Sequence, residues 1–350
     1  MIENKMAAST MATKPVPETQ SRLECSVCLK RLQDPRELDC QHRLCLRCLQ
    51  ALAQSQDVGS KTLTCPVCSC ETIVDNLADL LDKTNLNVHT HAKTWRLKSE
   101  VKVVGESQKV QFAFDVNAFS DGDIVVADIG HGFLIALSSK IESGTSEELE
   151  IKGLVDPSHV EVNQKDEIIV LDRPVVQFFD REFQFLRQLD PGPEVKVTSL
   201  AVDESNRIAA GCDTEEILLF NEDGFHAKTL PAPMLNDYLA ARNRRLIYTN
   251  YRKELLVGVD YDGKMLFSVP IQSSMTGNWG PKGVCCDIDG NIFVGCCGWQ
   301  SWGEIQHYSP EGQFLGCVVK GCGPAHGIAL TPDGDLVVAA VKSVKVYCHK

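Results

Sequence analysis

With 350 residues, 43% of them hydrophobic, the chain is long enough to bury one or two substantial cores. Its formal net charge of −12 falls almost wholly after Trp95, and an acidic body repels phosphate backbones, which argues against nucleic acid as the default partner. No apolar run approaches the ~18 residues of a membrane span, and "MIENKMAASTMATKPVPETQ" has no apolar signal core, so neither a span nor a secretory signal is expected.

The cytoplasm, or the nucleus, is therefore the expected compartment, where 16 cysteines should be thiols or metal ligands rather than disulfides. Residues 1–20 carry Glu3, Glu18 and two prolines and are expected to form a disordered tail.

Cysteines then cluster. Cys25/Cys28, Cys45/Cys48 and Cys65/Cys68 are three CxxC pairs, and Cys40 and His42 precede the second, giving C-x2-C-x11-C-x-H-x2-C-x2-C-x16-C-x2-C. Two residues between thiolates allow a tight turn to bring both sulfurs to about 2.3 Å from one ion, and eight ligands suffice for two tetrahedral zinc sites. A thioredoxin-like redox site would need a strand and helix around one CxxC, and a PHD finger would have its histidine preceded by four cysteines; neither fits.

The order of three cysteines, one histidine and four cysteines resembles the RING finger, over the whole of Cys25 to Cys68, with residues 21–72 as the module. The resemblance implies a cross-brace: Cys25, Cys28, Cys45 and Cys48 on one Zn2+, and Cys40, His42, Cys65 and Cys68 on the other. It also implies a ubiquitin ligase of the non-covalent kind, which docks a ubiquitin-conjugating enzyme through Val27, Leu49, Leu52 and Pro66 and contributes no catalytic residue of its own. Many active RINGs carry Arg or Lys after the last ligand. Here the residue is Ser69, so weak or assisted activity is expected.

Residues 73–98 read as a helical linker, with Leu77, Leu80, Leu81 and Val88 at roughly helical spacing; His89 and His91 have no CxxC beside them and are expected in solvent. From there on, a phrase recurs six times. "SDGDIVVAD", "QKDEIIVLD", "ESNRIAAGC", "ARNRRLIYT", "IDGNIFVGC" and "PDGDLVVAA" align on Gly122, Asp166, Asn206, Arg244, Gly290 and Gly334, in steps of 44, 40, 38, 46 and 44 residues. Each unit alternates short apolar strands with polar turns, the pattern of a four-stranded antiparallel blade.

These units resemble NHL repeats, so the expected fold is a small cross-brace zinc module followed by an all-β six-bladed NHL-type propeller over 99–350. The last unit has only three strands, and residues 99–107, with Val101 to Val104 at their centre, are expected to close the ring. The loops joining second to third strands, and blade to blade, share one rim. That rim should carry His131, His159, Arg173, Tyr251, Arg252, Lys253, Trp279, Trp299, Trp302 and His326 as candidate contacts for a protein substrate.

Cys285/Cys286 and Cys296/Cys297 are adjacent in strands, so their side chains should face opposite ways and cannot chelate one ion. RING plus NHL without B-box or coiled coil resembles the RING-NHL ligases that lack those parts. The partners implied are a conjugating enzyme, ubiquitin and a protein substrate. RNA, on Arg173, Arg242, Arg244, Arg245, Arg252 and Lys253, is the less favoured alternative, and an inactive scaffold marked by Ser69 is a third.

Overall fold

The computed structural model divides the chain into residues 1–92 and 93–350. In the first unit it describes residues 25, 27–28, 30, 35–37, 43–54, 62–64 and 71–73; in the second it describes 95–349 apart from 105–107, 139–145, 150–153, 193, 273–278 and 299–302. The predicted tail, most of the predicted linker helix, and Trp299 and Trp302 lie outside the described residues.

In the first unit, strand Pro35–Glu37 pairs antiparallel with Arg43–Cys45, which runs directly into the helix Leu46–Gln54. A second hairpin pairs Thr62–Thr64 with Glu71–Ile73. Leu44, Leu49 and Leu63 are fully buried, a small apolar core that suits a module held chiefly by metal.

The second unit consists of six four-stranded antiparallel sheets. The first strands are Ala113–Ala118, Pro157–Val162, Val197–Val202, Leu239–Arg242, Trp279–Cys286 and Ile328–Leu330. Each of them meets the next around an axis and the sixth meets the first again, so they line a central channel. Apolar residues collect between blades: Val125, Leu134, Val170 and Phe179 join blades 1 and 2, for example, and Ile247, Leu256, Val294 and Tyr308 join blades 4 and 5. A single sheet cannot cover both its faces, whereas six in a ring cover each other.

The turn between first and second strands shows why the repeat is visible in the sequence. All six aligned residues have left-handed backbone: Gly122 (φ 87°), Asp166 (58°), Asn206 (59°), Arg244 (57°), Gly290 (84°) and Gly334 (81°). Glycine adopts this region freely and Asn and Asp tolerate it, so units 2 and 3 keep the turn after losing glycine. Side chains complete it: Asp203 Oδ1 accepts the amides of Ser205 and Arg207 at 2.8 and 2.9 Å, and Asp287 Oδ1 those of Asp289 and Asn291 at 2.9 and 2.8 Å.

At the other rim the acids ending "VVAD" and "IVLD" clamp the approach to the first strand. Asp128 accepts the amides of Gln111 and Phe112 at 2.8 Å each, and Asp172 accepts those of Val155 and Asp156.

The ring closes on the segment preceding the first blade, as expected, but of the expected residues 99–107 only Ser99, Glu100 and Val101 take part. The closing strand is Trp95–Val101, paired with Val344–His349, so it begins inside the predicted linker, and residues 95–98 are strand rather than helix. Val103–Val104 instead pair with Gln108–Lys109 in a short hairpin. The anchor is Trp95, whose ring lies 6.0 Å from Phe293 and 3.7 Å from His349; an aromatic residue at the strand's start fixes the register that the valines alone leave open.

Candidate zinc centre and propeller rims

Cys25 and Cys28 stand on a tight turn, Cys45 ends a strand, and Cys48 lies in the first turn of the helix, so three kinds of local structure deliver four sulfurs to one point. All four Sγ atoms lie within 4.8 Å of one another. Cys28 Sγ and Cys45 Sγ are 3.9 Å apart. Four sulfurs each about 2.3 Å from a central ion would stand about 3.8 Å apart on a tetrahedron, so the spacing fits zinc and is far too long for a disulfide.

The electrostatics fit as well. Burial pushes the Cys25 thiol up, but the backbone amides of Cys28, Cys45 and Val27 outweigh it and bring it down to about 6. The Cys45 amide donates to Cys25 Sγ at 3.2 Å. Cys48 is pushed up to about 12 by burial and then by the sulfurs of Cys28 and Cys25: crowded thiolates repel one another until a dication joins them.

Cys40, His42, Cys65, Cys68 and Pro66 lie outside the described residues. Of the expected docking residues, Val27 is 45% exposed beside the first knuckle, while Leu52 is partly buried. Leu49 is only 1% exposed, so it belongs to the module's interior rather than to a docking surface.

The expected propeller rim is a single rim, but its residues are unequal. Arg252 and Lys253 are exposed. Arg173 pairs with Asp156 at 3.4 Å. Tyr251 is partly buried, with the Lys282 ammonium 4.8 Å from its ring centre, and Lys282 reaches Asp237 at 3.3 Å. His131 stacks on Phe133 and bonds Asp128. Trp279 packs into the apolar layer between blades 4 and 5.

His159 is a correction, for it is buried and serves the channel rather than a surface. Its Nε2–H donates to the Asp237 carbonyl at 2.6 Å. Tyr238, leading into blade 4, reaches across the axis and donates its hydroxyl to the Phe114 carbonyl of blade 1 at 3.0 Å. The Phe114 ring lies 5.1 Å from His159, 5.5 Å from Tyr238 and 5.5 Å from His326. Together they plug the channel. Desolvation holds both His159 and His326 down at about 4, so the plug is neutral. Phe114 and Tyr238 were not legible as a pair, because they are 124 residues apart and neither belongs to the repeated phrase.

Beyond the plug lie two carboxylates. Asp115 accepts the Val160 amide at 3.2 Å, and Glu161 accepts the Asn117 side-chain amide at 2.6 Å. Burial pushes Asp115 up to about 7; burial and then the Asp115 charge raise Glu161. The unfolded chain releases the Asp115 proton near its ordinary value of 3.8 and the folded one near 7, so Asp115 costs stability increasingly as pH rises between the two. Asp115→Asn is expected to stabilise the propeller by on the order of 2–4 kcal/mol at pH 8 and by almost nothing below pH 4. Urea unfolding of both proteins across that range checks this; a gain independent of pH would overturn it.

Cys285 packs toward blade 6 and Cys286 toward blade 4, opposite faces as expected of strand neighbours. Desolvation raises both thiols.

Comparison with known proteins bears on the two units separately. A family of C3HC4-type RING zinc fingers matches residues 25–68. Mouse E3 ubiquitin-protein ligase TRIM58 is 41% identical over 58 residues, 17% of this chain and 12% of that protein. Human E3 ubiquitin-protein ligase RNF182 is 31% identical over 90 residues, 23% of this chain and 36% of that protein, and human tripartite motif-containing protein 2 is 37% identical over 76 residues, 18% and 10% respectively. The chain thus spans a minor part of these relatives.

Among solved structures, a streptogramin B lyase (TM-score 0.52, 13% identity, 73% of this chain and 98% of that one) and a gluconolactonase of Xanthomonas campestris (TM-score 0.53, 13% identity, 69% and 87%) share the propeller fold. At such identity the likeness is one of fold alone. The chain therefore joins a C3HC4 RING finger, a module that takes two zinc ions, to a six-bladed β-propeller.

Proposed function

We propose that this protein is a RING-type E3 ubiquitin-protein ligase of the cytoplasm, in which the RING docks a ubiquitin-charged conjugating enzyme and the propeller recruits a protein substrate. The observation that carries the reading is the four-sulfur centre, set in a segment that matches RING fingers and is 41% identical to part of a ligase.

Cys25, Cys28, Cys45 and Cys48 would hold one zinc ion and Cys40, His42, Cys65 and Cys68 the other; the metal supplies folding energy and no redox chemistry. Exposed Val27, with Leu52 and Pro66, would form the apolar docking contact. Catalysis on this reading is positioning: the thioester is held for attack by a lysine amine, and the ligase forms no covalent bond.

Discharge of ubiquitin from a panel of charged conjugating enzymes onto free lysine tests the proposal. Acceleration by the full chain is expected with at least one of them, and acceleration with none would overturn it. Ser69 should limit the rate, since a serine can neither span to ubiquitin nor supply a charge. Ser69→Arg is expected to raise discharge by about tenfold, the equivalent of one charge-assisted hydrogen bond of ~1.5 kcal/mol. An unchanged rate would remove Ser69 from the account.

A further inference from the structure

The hairpin joining the first two strands of blade 4 departs from the other five. Its turn residues Asn243 and Arg244 both have left-handed backbone, φ 51° and 57°, and arginine occupies the position where the other units have Gly, Asp or Asn. Arg242 and Arg245 stand directly opposite each other across the strands, a like-charge pairing that weakens a sheet. The chain thus places three guanidinium groups in four residues where local structure favours none of them.

Their partners are few. Arg245 donates to the Pro310 carbonyl at 2.6 Å and has Glu311 at 3.9 Å. The Arg242 side chain makes no hydrogen bond or ion pair among the described residues, and its Nε is buried without an acceptor. The Arg244 guanidinium lies 5.5 Å from the centre of the Tyr261 ring, which Arg207 also covers at 4.7 Å, and its charge helps hold down the Asp262 carboxyl without bonding it. Arg242 and Arg245 both oppose the upward push of burial on the thiol of partly buried Cys286, at the junction of blades 4 and 5. The Asn243 side-chain amide projects there too, 3.1 Å from where a side chain on Gly290 would begin. A buried, orphaned donor beside two cations and an amide is a site short of an acceptor.

We propose that the Arg242–Arg245 hairpin binds a phosphomonoester carried by a phosphorylated side chain of a peptide; this rests on the reading of the propeller as a recruiter of proteins. A phosphate dianion offers several acceptor oxygens to converging guanidinium groups, which one carboxylate cannot. Carboxylates are in any case at hand in Asp262 and Glu311, and neither bonds Arg242 or Arg244. A nucleic-acid strand is disfavoured because Glu204, Asp262, Asp287 and Glu311 occupy the neighbouring turns of this rim and would repel its further phosphates.

The test uses the zinc-loaded full chain at constant ionic strength, with three probes: inorganic phosphate, a degenerate peptide pool with one fixed phosphoserine, and a 12-nucleotide RNA. Saturable binding of the phosphopeptide pool is expected, at least tenfold tighter than of the unphosphorylated pool and tighter than of inorganic phosphate. The double variant Arg242→Gln/Arg244→Gln should lose about tenfold or more, as for one or two charge-assisted bonds. Arg181→Gln, whose native side chain pairs with Asp121 and Asp123 on the same rim, should bind as wild type. The double variant's thermal midpoint without ligand should equal or exceed that of wild type, since repulsion is relieved, which separates lost binding from misfolding.

Phosphate bound as tightly as the peptides, RNA bound through the same arginines, or no binding at all would each overturn the proposal. No ubiquitin component enters the assay, so its failure would leave the ligase reading standing, and failed discharge would leave this binding result intact.

Discussion

Cys45→Ser is expected to reduce bound zinc from two ions per chain to one or none and to abolish ubiquitin discharge, while the unfolding transition of the propeller stays where it is. Cys45 is fully buried, its amide holds Cys25 Sγ, and its own sulfur lies 3.9 Å from that of Cys28. A serine hydroxyl is a poor zinc ligand, and structural zinc supplies about 10–16 kcal/mol to domains of this size, more than so small a core could replace. Metal content by colorimetric chelation, read beside calorimetry, separates the outcomes. Full zinc content in the variant would mean that the four sulfurs are not a metal site. A shifted propeller transition would mean that the two units, divided at Ala92, do not unfold independently.

The parts of this protein that were legible in its sequence are those fixed by backbone geometry over a few residues. A CxxC knuckle is such a feature, because two intervening residues decide how closely two sulfurs approach; that Cys25 and Cys28 meet Cys45 and Cys48 is what the resemblance to RING fingers implied. The left-handed turn is another: aligning six weakly similar phrases on Gly122, Asp166, Asn206, Arg244, Gly290 and Gly334 picked out the one backbone conformation they share. Features that depend on residues distant in sequence were not legible. Tyr238 reaches Phe114 only because a closed ring sets blades 1 and 4 across one narrow axis, and nothing local to either residue announces it. His159 looks like a rim residue in sequence and becomes part of the plug for the same reason. The closing strand was misplaced by several residues, because alternating valines at 101–104 satisfy the strand pattern as well as "WRLKSEV" does, and only Trp95 against Phe293 and His349 breaks the tie.

A propeller beginning at residue 94 should fold, and one beginning at residue 102 should not. The boundary follows from the closing strand: Trp95–Val101 pairs along Val344–His349 from His349 opposite Trp95 to Val344 opposite Val101, and Lys98 reaches Asp335 at 2.6 Å. Removing the strand exposes the ladder of Val344–His349 as a free edge, uncovers Tyr347 and Phe293, and leaves the last blade with three strands. Loss of the Trp95 contacts alone costs about 3 kcal/mol by analogy with Trp→Ala changes in cores. With the lost ladder bonds, at about 1 kcal/mol each, the total approaches the 5–15 kcal/mol that holds a typical domain together. The shorter fragment should therefore aggregate through the bared edge or show no cooperative transition, and the longer one should elute as a monomer and melt in one step. Trp95→Ala in the longer fragment should fall between them, folded but less stable by about 3 kcal/mol. If residues 102–350 were to fold as stably as residues 94–350, the ring would be closed by something other than this strand.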